Sequence, residues 1–329
     1  MAAKGQMQTC HCCQSNEVKK SGSYQNKNRM VQRFFCLRCG KTFSESQPLP
    51  GIRVETDKAV QIVELLAETV GIRAVSRLAR VDLGTVLRVL ESAGEHCARF
   101  LDAKVRNLTV PIVQADEVYS YVQCQPHIAK EDDTERGEFW TFLSIAKYEK
   151  LIINYRVSKR TGEDAAAFLT DLRSRMAMKF QFTTDGFRGY CDHNSSSGNV
   201  ERILGDVCHY ATETKIFKKD PNYTGRRKFF APEIAKVIRK VRFGYPDMSE
   251  ATTCHAERTN LSLRTFNRRF VRRTINFSKK VANHRHAVAI FAATFNFCRV
   301  HKTLKQTPAM VAGLTDHVWT VAELLATVV

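Results

Sequence analysis

Asp116, Asp185 and Glu257 are acids in surroundings that do not favour them: the chain of 329 residues has 51 Lys+Arg against 33 Asp+Glu, a net charge of +18. Asp116 interrupts the apolar run Ile112-Val-Gln-Ala-Asp116-Glu-Val. Asp185 closes Phe180-Gln-Phe-Thr-Thr ahead of Gly186, and Glu257 heads a stretch that reaches Arg285 with nine Arg and Lys and no carboxylate. Carboxylates brought together from separate elements stay ionised only when a cation neutralises them. Oxygen-only donors favour Mg2+ or Mn2+, which keep positions open for water and phosphate oxygens. Two such ions about 4 Å apart can activate an attacking oxygen and stabilise a leaving one during in-line displacement at phosphorus. On a helix beginning near Glu257, Arg264 and Arg268 at +7 and +11 share its face and could hold the phosphates of a cleaved strand. The spacing also fits a plainer reading, in which Asp185-Gly186 is a turn, Asp116 an edge residue and Glu257 a first-turn acid favoured by the helix dipole. Two rivals stand nearby: Glu117, which strand alternation sends to the face opposite Asp116, and Glu250, which has no basic residue at +7.

A second set of residues suits a different metal. Cys10-x-x-Cys13 and Cys36-x-x-Cys39 have the spacing of two zinc knuckles, each presenting two thiolates at about 2.3 Å from one ion. Four cysteines close the tetrahedron, so such a Zn2+ site is structural, and in so small a domain metal binding would supply much of the folding free energy. Gly40 stands where the second knuckle must turn sharply, and Cys12 reads as a spare thiol. Short strands at 31–35 and 41–43 complete a zinc ribbon with basic and aromatic residues interleaved.

These residues need a frame, and the length allows two or three domains. The charge excess points to a polyanionic partner, with nucleic acid first. The longest apolar run, 287–297, is too short to span a bilayer. Residues 1–9 carry no apolar leader, so the expectation is an intracellular protein. After a linker at 48–51, helical periodicity begins behind Thr56, read as an N-cap, and Gly71 is read as the helix end. A second helix covers 72–79, and a third, capped by Asp82, turns Leu83, Val86, Leu87 and Leu90 inward. This is a helix-turn-helix pattern whose last helix would offer Thr85 and Arg88, with Glu91 a turn further on, to the DNA major groove, and Arg80 stands in the turn where glycine is commonest. From 109 the rhythm becomes that of strands at 112–122, 139–146, 151–157 and 180–184, with a helix at 163–178 and a further strand at 207–212. This predicts an α/β domain with a mixed sheet flanked by helices, while 215–228 reads as a basic loop. The boundaries expected are 1–48 for the ribbon, 52–106 for the helix-turn-helix, 107–300 for the sheet domain and 301–329 for a tail.

The segment His255-Ala-Glu257-Arg-Thr-Asn260-Leu-Ser-Leu263-Arg264, continuing through Arg272-Arg-Thr-Ile-Asn-Phe-Ser278-Lys, resembles the catalytic segment of IS1-family insertion-sequence transposases. Val113-Gln-Ala-Asp116-Glu117-Val-Tyr-Ser-Tyr-Val122 resembles that family's first-aspartate strand and Thr184-Asp185-Gly-Phe187 its second; the ribbon and helix-turn-helix match in order. The resemblance implies an RNase H-like fold with Asp116, Asp185 and Glu257 as a DDE triad holding Mg2+, and Arg264 as the basic residue after the glutamate. It implies an enzyme that binds the terminal inverted repeats of its element, cuts to expose 3′-hydroxyls and joins them to target DNA. The expected partners are double-stranded DNA, as element ends and target, and further copies of the chain in a homodimer or larger assembly, without a membrane. The expected location is the cytoplasm of a prokaryotic host, at the nucleoid. Departures from the family pattern are Tyr119 where Trp is frequent, Gln114-Ala115 beside the first aspartate, and the length of 215–228. Two rivals remain: a DNA-binding regulator built on the same N-terminal domains, without catalysis, and a nuclease that cuts without joining.

Overall fold

Between the two cysteine pairs the computed structural model has an antiparallel hairpin, β1 (Val18–Gln25) and β2 (Met30–Cys36), with a short strand β3 (Thr42–Ser44) on the other edge of β2. The structure describes all residues except 1–8, 11, 14, 26–29, 45–48, 50, 51, 53, 131, 132, 191–197, 219–232, 272–274, 328 and 329. Contacts within the chain group it into two compact units. One contains Met1–Lys104, Leu263–Met310 and Leu314–Val329, and the other Val105–Ser262 and Val311–Gly313.

In the first unit, α1 (Thr56–Ala67), α2 (Ile72–Ala79) and α3 (Leu83–Lys104) follow the ribbon. The N-cap of α1 is Glu55, not Thr56, and Gly71 precedes α2 as its N-cap instead of ending α1. Arg80 takes the left-handed conformation at φ 54° that closes α2, and Asp82 Oδ1 accepts from the Gly84 N–H at 2.7 Å to start α3. Val86 and Leu90 are buried as the pattern requires, but Leu83 is exposed. Helix α3 runs well past Leu90, the last inward residue of the expected pattern, because Ala93, Cys97, Phe100 and Leu101 prolong its apolar stripe.

In the second unit β4 (Ile112–Val122), β5 (Gly137–Ala146), β6 (Ile152–Ser158), β7 (Phe180–Thr184), β8 (Cys208–Phe217) and β9 (Ile234–Phe243) form one sheet in the order β6-β5-β4-β7-β8-β9. The central pairs β4–β7 and β7–β8 are parallel, and β4–β5, β5–β6 and β8–β9 antiparallel. Helix α4 (Gly162–Arg175) connects β6 to β7, a short α5 (Asn199–Leu204) precedes β8, and α6 (Cys254–Phe266), grouped here as far as Ser262, follows β9. This is the expected mixed sheet flanked by helices. Two details depart from the sequence reading. Lys215 lies inside β8, not in a loop, while 219–228 fall outside the described residues. Strand β9 was not foreseen, because Lys236, Arg239, Lys240 and Arg242 break its apolar alternation and most of it is exposed.

After α6 the chain returns to the first unit with α7 (Val281–Ala293), α8 (Pro308–Val311) and α9 (Val321–Ala326). Gly94 of α3 is needed here: a Cβ at that position would stand 2.3 Å from the His286 Cβ of α7. Residues 301–327 are packed where a tail was expected, with Leu324 and Leu325 buried, His96 Nε2 donating to Leu324 O at 2.8 Å, and Trp319 against Phe100 and Phe297. The sheet-domain boundaries read from the sequence, 107–300, likewise differ from the contact grouping, which assigns Leu263–Met310 to the helical unit. Among the described residues no helix is long and apolar enough to cross a membrane.

Candidate metal centres

The four thiols of Cys10, Cys13, Cys36 and Cys39 converge, all lying within 4.8 Å of one another, with Cys10 Sγ 3.6 Å from Cys39 Sγ and Cys13 Sγ 3.5 Å from Cys36 Sγ. A tetrahedron of thiolates about 2.3 Å from one ion has edges of about 3.8 Å, so the set fits Zn2+. The second knuckle turns at Gly40, whose φ of 69° a side chain would strain. The Cys12 N–H donates to Cys10 Sγ at 3.4 Å, an outer contact that orients the ligand. Cys12 itself is exposed, accepts from Lys41 Nζ at 3.0 Å and is not among the four.

The acids gather where the sheet opens. Strands β4 and β7 pair from Ile112↔Gln181 to Gln114↔Thr183, and the register carried two residues further sets Asp116 opposite Asp185. Parallel partners in register share a face, so the two side chains meet. Carboxylate oxygens of Asp116, Glu117 and Asp185 lie within 4.8 Å of one another. The presence of Glu117 corrects the sequence reading. Alternation does turn Asp116 towards α6 and Glu117 towards Arg160 and Tyr190. Past Gln114, however, β7 no longer pairs with β4, and carboxylates from both faces reach round that open edge to Asp185.

Glu257, in the first turn of α6, is outside this group of three. Its carboxylate is ion-paired with Lys215 of β8 and accepts from the Thr253 hydroxyl at 3.0 Å. The helix that carries it is moored to the sheet at two points. Gln114 Oε1 accepts the N–H groups of His255 at 2.9 Å and Ala256 at 3.3 Å, and Glu213 Oε1 accepts that of Thr253 at 3.1 Å. Three donors otherwise orphaned at the start of α6 are thereby satisfied by side chains of β4 and β8. One turn after Glu257, Asn260 Nδ2 donates to Asp116 Oδ2 at 2.9 Å. Glu250, the other candidate, is ion-paired with Lys147 and accepts from the Tyr148 hydroxyl.

Electrostatics record the crowding. Burial pushes the Asp116 carboxyl up to about 7, reinforced by the negative charges of Asp185 and Glu257 against the Asn260 amide. Burial, with Asp185 and Asp116, pushes Glu117 up to about 8, while Arg160 pulls the other way. Crowded oxygen donors of this kind suit a divalent cation: Asp116 and Asp185, with Glu117 beside them, are the residues that could hold Mg2+ or Mn2+.

The expected DNA-binding residues are scattered through the first unit. Thr85 is half-buried and Arg88 exposed near the start of α3, where Arg88 Nη2 donates to Thr85 Oγ1 at 3.2 Å. Arg264 lies half-buried in the last turn of α6. Arg268 is not on that helix. Helix α6 stops at Phe266, and Asn267, at φ −140°, caps a separate 3-10 turn, Arg268–Phe270, so the +11 spacing does not apply. Three positioning residues escaped the sequence reading. Asn260 was detectable one helical turn from Glu257, and Gln114 as a polar residue two places before Asp116 on the same strand face. Arg160 gave no local signal.

No protein-family model and no curated protein sequence matches the chain. Among solved structures it is similar to a chain of the piggyBac transposase synaptic complex with hairpin DNA, at 8% identity and a TM-score of 0.40, covering 82% of this chain and 69% of that one. A chain of the simian T-cell lymphotropic virus intasome in complex with PP2A regulatory subunit B56 gamma gives 13% and 0.34, covering 78% and 71%. One from a pre-cleavage Mos1 transpososome gives 11% and 0.21, covering 49% and 59%.

Three outcomes are expected. Purified protein should carry about one zinc per chain by elemental analysis, and Cys36→Ser should lose it together with ribbon structure; unchanged zinc would refute the site. Gln114→Leu should cost about 1–2 kcal/mol and speed amide exchange at His255 and Ala256; unaltered exchange there would show the mooring to be idle. Asp116 and Glu117 hold protons more tightly folded than unfolded, so their contribution is present below about pH 4 and is lost as the pH rises through about 7 to 8. Without divalent ions the melting temperature should therefore fall over that window, and Asp116→Asn should reduce the slope; an identical slope would contradict the shift.

Proposed function

We propose that the chain is a DNA transposase of IS1-like type, which binds the terminal inverted repeats of its element and performs divalent-metal-dependent strand cleavage and strand transfer. The observation that carries this reading is the convergence of the Asp116 and Asp185 carboxylates at the open edge of β4, with Glu257 on a helix tied to the same strand by Gln114 and Asn260. In it, Asp116, Asp185 and Glu257 form the DDE triad. When bound, Mg2+ or Mn2+ would lower the barrier to phosphoryl transfer by stabilising charge on the attacking and leaving oxygens. The chain's own part is to orient its carboxylates: Asn260 fixes Asp116, the Phe187 N–H fixes Asp185 Oδ1 at 2.9 Å, and Thr253 with Lys215 fixes Glu257.

In this reading the ribbon and the helices 52–106 select the element ends, with Thr85 and Arg88 at the groove and Arg264 and Arg268 on phosphates. Affinity then rests mainly on phosphate contacts and weakens steeply with salt. Bringing two ends together calls for a dimer or larger assembly, working on DNA in the cytoplasm of a prokaryotic host. One observation favours a second reading, a DNA-binding regulator without catalysis: Glu257 is neutralised by Lys215 and stands outside the three-acid group.

The test mixes purified protein, Mg2+ and duplex DNA bearing the inverted repeats. Asp185→Asn and Glu257→Gln should each lower cleavage and joining by at least about a hundredfold while end binding persists. Equal activity in all three proteins would refute the triad, inactivity of the wild type would favour the regulator, and cutting without joining would indicate a nuclease.

A further inference from the structure

Arg160 stands between the end of β6 and Thr161, the N-cap of α4, and its guanidinium enters the acidic cluster. Its Nε and Nη2 both donate to Glu117 Oε2, at 3.2 and 2.9 Å, and Nη2 lies 3.7 Å from Asp185 Oδ2. The carboxylate that pins it is wholly buried, whereas the arginine side chain keeps 31% of its exposure. Two rings flank the guanidinium, Trp140 at 4.5 Å and Phe187 at 4.2 Å. Among the described residues Nη1 has no hydrogen-bond partner.

We propose that Arg160 is a catalytic residue that contacts the DNA substrate, donating from its unused N–H groups to a non-bridging oxygen of a phosphate at the acidic cluster, with Glu117 as the residue that positions it. This rests on the function proposed above. A cation that served only to neutralise Glu117 would need neither two aromatic walls nor an exposed edge. A guanidinium locked by two hydrogen bonds to one carboxylate oxygen and by ring faces has already lost its rotamer freedom, so little further ordering is required when it meets phosphate. Its planar fork suits that ligand, and a preorganised donor needs no reorganisation when charge develops beside it. Glu117 then has a role distinct from the triad acids: it is engaged by arginine, while Asp116 and Asp185 are the acids left to a metal.

The experiment uses the full chain with inverted-repeat duplexes in which single phosphates near the cleaved bond are replaced, one at a time, by neutral methylphosphonates. Single-turnover cleavage is measured for wild type, Arg160→Gln and Arg160→Lys, and Mn2+ affinity is titrated on each protein without DNA. Arg160→Gln should slow cleavage about a hundredfold, with Arg160→Lys recovering part of the rate. At one phosphate position methylphosphonate should slow the wild type but not Arg160→Gln. Mn2+ should bind Arg160→Gln as well as or better than wild type, because a cation 3.7 Å from Asp185 has been removed. Weaker Mn2+ binding by Arg160→Gln, or losses that multiply at every phosphate, would overturn the proposal and leave Arg160 acting on Asp185 alone. Wild-type rates in Arg160→Gln would also overturn it, with the triad reading intact provided Asp185→Asn is inactive. A wild type that does not cleave would remove both.

Discussion

Carboxylates resist being brought together out of water, and the sheet unit is organised around meeting that cost at one point. Asp116 and Glu117 are adjacent on a strand and so face opposite sides of the sheet, yet both reach Asp185 because β7 ends beside them. Each acid has a compensating partner from a different element: Asn260 from α6 for Asp116, the backbone of Phe187 for Asp185, and Arg160 from the β6–α4 turn for Glu117. A rigid scaffold is what makes such an arrangement affordable, since any looseness would let the charges separate into solvent.

That rigidity is local and identifiable. Strand β4 pairs with β5 over its whole length, so Gln114, Asp116 and Glu117 have fixed spacing and direction. Gln114 passes this order on to α6 by capping it, and Glu213 does the same from β8, itself held by Arg239 at 2.9 Å. Beneath the site an aromatic group made of Phe142, Phe168, Phe187 and Tyr190 fills the space between sheet and α4, with ring centroids 5.5–6.5 Å apart. Phe187 thus has two duties: it packs on Tyr190 and walls Arg160. Gln114, seen in the sequence as a departure beside the first aspartate, is the residue that ties two candidate ligands into one frame.

Much of this was legible from local pattern. The strands at 112–122 and 180–184 were placed to the residue, because β-branched and aromatic residues recurring at short spacing mark a strand even where polar residues interrupt it. Strand β9 and the length of α3 were not. Strand β9 is a basic edge strand whose pairing with β8 replaces the missing apolar alternation, and α3 is prolonged by burial against α7, whose residues are distant in sequence. The helix end at Phe266 was lost for a related reason: an asparagine cap competes with a basic run that is equally compatible with helix.

By itself the sequence determined the features that depend on neighbours along the chain: the two cysteine pairs with Gly40 at the knuckle, the αL turn at Arg80, the strand that carries Asp116 and the turn that carries Asp185. Tertiary structure alone decided which acids meet and what holds them. It brought Glu117 into the cluster, set Arg160 against it from 43 positions away, and placed Gln114 under a helix 141 positions later. The division is physical. Periodicity encodes which face of an element is apolar, but the convergence of polar groups depends on where one strand stops beside another and on the hydrogen bonds that buried donors must find, and neither is written in any local stretch of the chain.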